Sequence, residues 1–144
     1  MNRIFQTVEG YEFFLYTLTE NFPPINRSTV TLVKRGASLA RVSGEIFLEQ
    51  EFRIVIRERL LFHCSPIAID WYGYEIWKGE EKLYWYDSQP HPDEPKLEST
   101  FPHHKHIPPD IKRNRIPAPD MSFDAPNIPG LIREIEALME AGDT

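Results

Sequence analysis

Proline divides this chain into a proline-poor part and a proline-rich part. Ten of its 13 prolines lie between Pro90 and Pro129. Proline fixes the backbone φ angle and removes an N–H donor, so this stretch is excluded as a long helix or a central strand. We therefore predict a long Pro/His-rich loop at about residues 88–126, with regular structure confined to its flanks.

Helical periodicity marks both ends of the chain. At the N-terminus, apolar residues recur at spacings of three and four, which predicts a helix that ends at Pro23 and Pro24. A second stripe predicts an amphipathic helix at about residues 127–141, with Pro129 in its first turn and Gly142 at its end. The apolar positions of the two predicted helices are Ile4, Val8, Tyr11, Leu15 and Leu18, and then Ile128, Leu131, Ile132, Ile135, Leu138 and Met139.

Between about residues 28 and 87 the apolar spacing falls to two, which is typical of strands with one buried face. In the clearest case, Phe52, Ile54 and Ile56 alternate with Arg53 and Arg57. Another predicted strand, at residues 39–48, is interrupted near residues 43–44. The last two predicted strands are joined as a hairpin by a glycine-containing turn at residues 78–81. Short turns favour an antiparallel meander of about five strands. We predict an α+β fold in which residues 1–144 form a single domain.

Composition and charge narrow the class of protein. With 41% hydrophobic and 26% charged residues among 144, the chain is excluded from wholesale disorder. The net charge of −6 argues against a general nucleic-acid coat protein. Residues 100–119, however, hold four cations against one acid and three of the five histidines. The charge of this local basic tract, more than the net charge of the whole chain, determines whether the region attracts anionic or cationic ligands.

The remaining composition points to a cytoplasmic protein. The lone Cys64 cannot form an intramolecular disulfide, which argues against a disulfide-stapled secreted domain. No apolar run reaches the roughly 18 residues that cross a bilayer, so no membrane partner is expected. Cys64 follows His63, a pair that could form a Cys–His nucleophile, but its position at a strand end favours a buried structural thiol.

The proline-rich stretch carries the densest set of chemically active side chains. Metal-independent RNA cleavage needs a base for the 2′-hydroxyl proton, an acid for the leaving oxygen and a cation for the charge on phosphorus. Histidine and lysine side chains supply these roles with no cofactor and no metal. The predicted catalytic residues are His103, His104, Lys105 and His106. The predicted substrate-binding residues are Asp87, His91, Lys112, Arg113 and Arg115.

Other interpretations stay open. The histidines could cap backbone groups in a polar surface loop that does no chemistry. They could ligate zinc, with His103, His106, His91 and Asp87 as ligands, although the chain has one cysteine and no His-Glu-x-x-His motif. The aromatic residues of the last two predicted strands could stack RNA bases, although alternate members must point into the core. Arg57, on the polar side of a strand, is a weak further candidate for substrate binding.

Two motifs at this end of the chain resemble the sequence pattern of one family. Residues 83–92 read Leu-Tyr-Trp-Tyr-Asp-Ser-Gln-Pro-His-Pro, and residues 101–106 read Phe-Pro-His-His-Lys-His. The pair resembles the Trp-Asp-Asn-x-Pro-His-His-Pro and Phe-Pro-His-His-Lys-His pattern that follows a β-hairpin in the TumE family of type II toxin–antitoxin toxins. Ser88 stands where that pattern has Asn, and His91 stands where it has two histidines.

This resemblance implies a short α+β toxin that is inhibited by an adjacent DNA-binding antitoxin, which we expect to be of the helix-turn-helix type. An RNA-cleaving activity is our inference from the His/Lys chemistry and from the frequency of ribonucleases among such toxins. The alternative is a non-catalytic module that uses the same loop to bind a partner protein or a nucleic acid.

Overall fold

The structure is a computed structural model that describes residues 3–142. The first helix begins where the Thr7 side chain accepts a hydrogen bond of 3.0 Å from the Gly10 N–H. None of the helices within residues 3–142 is long and apolar enough to cross a membrane. The α-helices are α1 (Val8–Tyr16), α2 (Leu18–Asn21) and α3 (Ile128–Gly142), of which α3 confirms the predicted amphipathic helix.

The strands form one antiparallel sheet in the order β1-β3-β4-β5-β6-β7-β8, and β2 also pairs with β3. β1 pairs with the second half of β3 and β2 with the first half, so both lie along the same edge. The strand bounds are β1 (Ile25–Ser28), β2 (Thr31–Arg35), β3 (Leu39–Leu48), β4 (Phe52–Leu61), β5 (Ala68–Lys78), β6 (Glu81–Asp87), β7 (His104–His106) and β8 (Arg115–Pro117).

The chain passes from β1 to β2 directly against Gly44 of β3. Gly44 has a φ of +142°, and a Cβ atom there would lie 2.6 Å from both the Thr29 carbonyl oxygen and the Val30 Cα. Glycine alone tolerates this combination of backbone angle and close approach. The interruption predicted near residues 43–44 is therefore a backbone crossing within a continuous strand.

Helices α1 and α3 cover one face of the sheet. Tyr84 and Tyr86 of β6 each donate a hydrogen bond of 2.9 Å to Glu134 of α3. Because successive side chains of a strand point to opposite faces, the alternate residues point away from both helices. We call this second side the outer face; Arg57 of β4 and Trp85 of β6 lie on it. The core beneath the helices includes Val8, Leu15, Ile54, Ile56, Ile76, Leu131 and Ile135.

The α+β fold and the antiparallel sheet are confirmed, but the predicted number of five strands is wrong, because residues 3–142 contain eight. Two of the additional strands, β7 and β8, lie inside the predicted loop. β7 fits between Pro102 and Pro108, and Pro117 lies in the edge strand β8, where a missing N–H need not break a ladder. Prolines exclude long elements from this stretch, but they leave room for strands of three residues.

A buried carboxyl group links α1 to the sheet. Glu58 of β4 is 2% exposed and accepts hydrogen bonds from the Tyr11 hydroxyl at 2.6 Å and the Tyr74 hydroxyl at 2.5 Å. The Tyr74 hydroxyl accepts a further hydrogen bond of 3.1 Å from the Asn127 side chain. Burial raises the pKa of Glu58 to about 6, although the hydrogen bonds from the two tyrosines oppose that rise.

We expect the free energy of unfolding to fall as pH rises from about 4.5 to about 6. The folded protein holds the Glu58 proton more tightly than the unfolded chain, whose carboxyl group has its ordinary pKa of 4.5. The resulting stabilisation amounts to about 2 kcal/mol. It is fully present below about pH 4.5 and is lost above about pH 6.

The variant Glu58→Gln isolates this effect, because it keeps a polar partner for both tyrosines and cannot ionise. Denaturant unfolding of both proteins at several pH values measures it. The free energy of unfolding of the wild type, relative to that of Glu58→Gln, should decrease by about 2 kcal/mol between about pH 4.5 and about pH 6. A constant difference would mean that Glu58 does not titrate there.

Candidate functional site

Three side chains of β6 and β7 converge on the outer face. Asp87 is the cross-strand partner of His104 and Trp85 that of His106, so all four share one face. His104 Nε2 lies 2.8 Å from Asp87 Oδ1, and His106 Nε2 lies 3.3 Å from Asp87 Oδ2. The two Nε2 atoms are 3.1 Å apart. We call Asp87, His104 and His106 the Asp–His–His cluster; all three are buried.

Backbone carbonyl groups fix the orientation of both imidazoles. His104 Nδ1 lies 3.1 Å from the Pro102 carbonyl oxygen, and His106 Nδ1 lies 2.8 Å from that of Ile111. A carbonyl oxygen can only accept a hydrogen bond, so each Nδ1 carries a hydrogen and donates it. The Trp85 indole stacks on His106, with ring centres 3.7 Å apart. Both Nε2 atoms are therefore held toward the centre of the cluster.

The carboxyl group of Asp87 is ionised at neutral pH. Burial alone would raise its pKa, but the adjacent His104 and His106 side chains and a hydrogen bond from the Gln89 N–H outweigh burial and hold the pKa well below its usual range. The cluster therefore combines one fixed negative charge with two imidazoles.

A pocket of about 470 Å³ opens over Asp87 and His106. Lys82, Lys112 and Arg115 line it, so three cations surround its mouth. Arg115 belongs to β8 and forms an ion pair with Glu94. Of the predicted substrate-binding cations, Lys112 and Arg115 thus face the pocket, whereas Arg113 is exposed outside its lining. The pocket suits an anion such as a phosphate group.

His91 lines the same pocket, beside the cluster. Its ring meets that of His104 edge to face, with centres 4.8 Å apart. No hydrogen bond joins its ring nitrogens to any residue within the described range 3–142. Burial and the positive charge of Arg115 lower the pKa of His91. It is thus the histidine of the pocket whose ring nitrogens remain available to a ligand.

Strand alternation separates the predicted catalytic residues. Lys105 points to the covered face, where its Nζ lies 4.1 Å from the centre of the Tyr84 ring. His103 precedes β7 and stacks on Tyr72, with its Nδ1 2.7 Å from the Tyr72 hydroxyl oxygen. The other two histidines of this segment lie in the cluster. Their partner there is an aspartate that the sequence analysis assigned to substrate binding.

Cys64 and His63 lie in the surface loop that follows β4 and do not line this pocket. The thiol is exposed, so the prediction of a buried structural cysteine is wrong. The reason is that β4 ends at Leu61 and the next buried residue is Ile67, which leaves the segment between them at the surface.

The surface that adjoins the cluster was not predicted from the sequence as a unit, although Arg57 and the aromatic residues of these strands were considered one by one. One row of cross-strand partners runs across the outer face through Ser43, Arg57, Gly73, Asp87 and His104. Because the glycine of this row has no side chain, nothing on the row stands between the arginine and the aspartate. Period-two spacing shows which residues of a strand share a face, but the row appears only once the strand register is known.

A second depression, of about 400 Å³, lies on the same face and contains most of this surface. Arg41, Arg57, Arg59 and Trp71 line it. Arg59 is held by Asp70, with its Nε 2.7 Å from the carboxylate, while Arg41 is exposed and has no ion pair within residues 3–142. The outer face therefore carries two neighbouring depressions, both lined by cations and a tryptophan.

A family model described as Toxin TumE matches residues 15–139, a range that includes the whole sheet and the cluster. The chain belongs to the TumE toxin family. As a TumE toxin, it is the toxin component of a toxin–antitoxin module and has a cognate antitoxin as its partner. No curated protein and no solved structure matches the chain.

The two motifs that resemble the TumE pattern supply the Asp–His–His cluster and part of the lining of the pocket beside it. The first motif contributes Asp87 and His91, and the second contributes His104 and His106. The sheet brings them together because β6 and β7 pair directly, although a loop of 16 residues separates the two strands.

Proposed function

We propose that this TumE toxin is a ribonuclease that binds RNA along the outer face and cleaves it in the pocket beside the Asp–His–His cluster. The observation that carries the proposal is the continuity of that face: a basic depression with a tryptophan adjoins a basic pocket that contains imidazoles and a carboxylate. The net charge of −6 describes the whole chain and not this side of the sheet.

The binding part of the proposal rests on two kinds of contact. Arg41 and Lys112 are exposed cations that line the two depressions, where they can contact a phosphate backbone. Arg57 is also exposed, and it forms an ion pair with Glu75, with its Nη2 3.3 Å from the carboxylate, for which a phosphate group would compete. Trp71 offers an indole face beside the arginines, and stacking on aromatic side chains accepts any base. This combination is typical of proteins that bind single-stranded nucleic acid.

The chemical part of the proposal assigns proton transfer to His91, because its ring nitrogens are not engaged by the protein. The 2′-hydroxyl gives its proton to His91 and its oxygen forms a bond to the adjacent phosphorus. The bond from phosphorus to the 5′ oxygen of the next nucleotide breaks, and that oxygen takes a proton from water. The hydroxide that remains takes the proton from His91, which restores the water and the neutral imidazole. The products are a 2′,3′-cyclic phosphate and a 5′-hydroxyl end.

Combined replacement of Arg41 and Arg57 by glutamine tests the binding part. We expect RNA affinity to fall and its log–log dependence on salt to become shallower by about 1.4, since each lost phosphate contact on a single strand removes about 0.7. Fluorescence anisotropy with a labelled single-stranded RNA, measured over a range of salt concentrations, gives both quantities.

The matched control is Arg133→Gln, which removes an exposed arginine from α3, the helix that packs on the covered face. It should leave the salt slope unchanged. The double variant should also keep its stability to within about 1 kcal/mol for each exposed charge. A salt slope equal to that of the wild type would exclude RNA binding at these arginines.

The same proposal extends to the antitoxin partner. A basic outer face that binds RNA would be blocked by any acidic segment laid across it, and we propose that a helix-turn-helix antitoxin encoded beside the toxin provides this block. The reading frame next to the toxin gene tests it: a frame that encodes no DNA-binding protein would remove this assignment and favour the non-catalytic binding module.

A further inference from the structure

We infer that Asp87, His104 and His106 form a binding site for one divalent transition-metal ion of the Zn²⁺ type. The site itself is independent of the proposed ribonuclease function, whereas a role for the ion in RNA cleavage rests on that proposal. Metal binding is therefore measured directly in the experiment below.

The spacing of the donor atoms fits one ion. A metal with bonds of about 2.0–2.2 Å and bond angles of about 90–110° holds neighbouring ligand atoms about 2.8–3.6 Å apart. His104 Nε2 lies 2.8 Å from Asp87 Oδ1, His106 Nε2 lies 3.3 Å from Asp87 Oδ2, and the two Nε2 atoms are 3.1 Å apart, so the carboxylate would bind the ion through both of its oxygens. All three separations fall within that interval, so an ion could enter with little movement of the side chains.

The hydrogen-bond pattern leaves the correct atoms available. Each Nδ1 donates to a backbone carbonyl oxygen, that of Pro102 for His104 and that of Ile111 for His106. In a neutral imidazole this leaves the lone pair on Nε2, and histidine ligands of metals commonly have their other ring nitrogen held in this way. Two Nε2 lone pairs that face each other repel unless a cation lies between them.

The donor set selects the class of ion. Imidazole nitrogens bind zinc, iron, nickel and copper well, whereas calcium and magnesium prefer oxygen ligands throughout. Two histidines and one carboxylate are the protein ligands of several catalytic zinc sites, which keep a further position for water or substrate. Here the pocket of about 470 Å³ opens over Asp87 and His106, so the free positions would face a bound phosphate group.

The cluster replaces the zinc ligand set considered in the sequence analysis. His103 is engaged with Tyr72, and its place is taken by His104. His91 meets the ring of His104 edge to face, but its ring nitrogens lie outside the group of atoms that converge. We therefore assign three protein ligands, two of them on a single three-residue strand.

Titration of the chelator-stripped full chain with Zn²⁺ by calorimetry tests the site, and Co²⁺ absorption reports its coordination. We expect saturable binding of one ion per chain. The affinity for Zn²⁺ should fall by at least about 100-fold in each of Asp87→Asn, His104→Gln and His106→Gln. Loss of a residue that only hydrogen-bonds to a metal ligand already lowers metal affinity by about 10–100-fold. His63→Gln, which removes an exposed histidine far along the chain, should bind as the wild type does.

Circular dichroism of each variant shows whether it is folded, and a thermal-shift measurement on the wild type needs no variant at all. Zn²⁺ should raise the melting temperature of the wild type. Absence of one-to-one binding by the wild type, or equal affinity in folded Asp87→Asn, would overturn the metal site. If the wild type binds the ion but does not cleave RNA, the metal site stands and the ribonuclease proposal is overturned. If the wild type cleaves RNA but binds no metal ion, the ribonuclease proposal stands and the metal site is overturned.

Discussion

Expression of the wild-type chain without its antitoxin should arrest bacterial growth, and Asp87→Asn should restore growth. We expect RNA cleavage by the purified variant to fall by about 100-fold, the loss that a small misplacement of reacting groups can cause, because Asp87 lines the pocket and holds His104, whose ring meets that of His91. The physical reason is that Asp87 supplies the one negative charge of the cluster and holds both imidazoles at hydrogen-bond distance. Colony counts after induction and the rate of RNA cleavage measure the two effects.

The matched control for this prediction is Asp93→Asn, which makes the same chemical change at an exposed position of the same proline-rich segment. It should remain toxic. If Asp87→Asn is folded and still cleaves RNA at the wild-type rate, the Asp–His–His cluster makes no contribution to cleavage. If the purified wild type binds RNA without cutting it, the toxin acts as the non-catalytic binding module.

Gly44→Ala should lower the free energy of unfolding by about 3 kcal/mol or more, the largest loss of stability that we expect from a single methyl group. The new Cβ would lie 2.6 Å from the backbone of residues 29 and 30, and the φ of +142° is one that alanine rarely adopts. Thermal or denaturant unfolding measures the change.

Gly36→Ala measures the cost of an unfavourable backbone angle without the steric clash that is present at Gly44. Gly36 also has a positive φ, +78°, but a Cβ there would meet no atom within 4 Å. Its replacement should cost only about 1–2 kcal/mol, the ordinary penalty for a left-handed backbone. Equal losses in the two variants would show that the crossing of the chain at Gly44 adds nothing to the cost.

The elements that the sequence predicts well are those whose pattern is long and local. Alternation in β4 and the apolar stripe of α3 each extend over ten or more residues, and both were confirmed. β7 and β8 have three residues each, too few to show a period, and they exist because β6 offers them an edge to pair with. Their presence depends on contacts between residues far apart in sequence.

The site was predictable in its residue types and not in its arrangement. His104 and His106 were proposed as catalytic residues from their chemistry, but the side chain between them was proposed with them, although a strand turns Lys105 to the other face. Asp87 could be identified as their partner only from the register of β6 and β7. Trp71 was among the aromatic residues considered for base stacking, but Arg41 was missed because sequence spacing does not tell which face the helices cover.

The position of β7 also fixes the order in which a growing chain acquires its parts. Strands β3 and β4, which carry the arginines of the outer face, and β5, which carries Trp71, leave the ribosome before residues 104–106, and α3 follows them all. A nascent chain therefore contains the strands of the proposed RNA-binding surface before it contains the cluster. A fragment that stops short of residue 106 would lack both the cluster and α3, whose Leu131 and Ile135 belong to the core, so premature termination would leave the covered face of the sheet open to solvent.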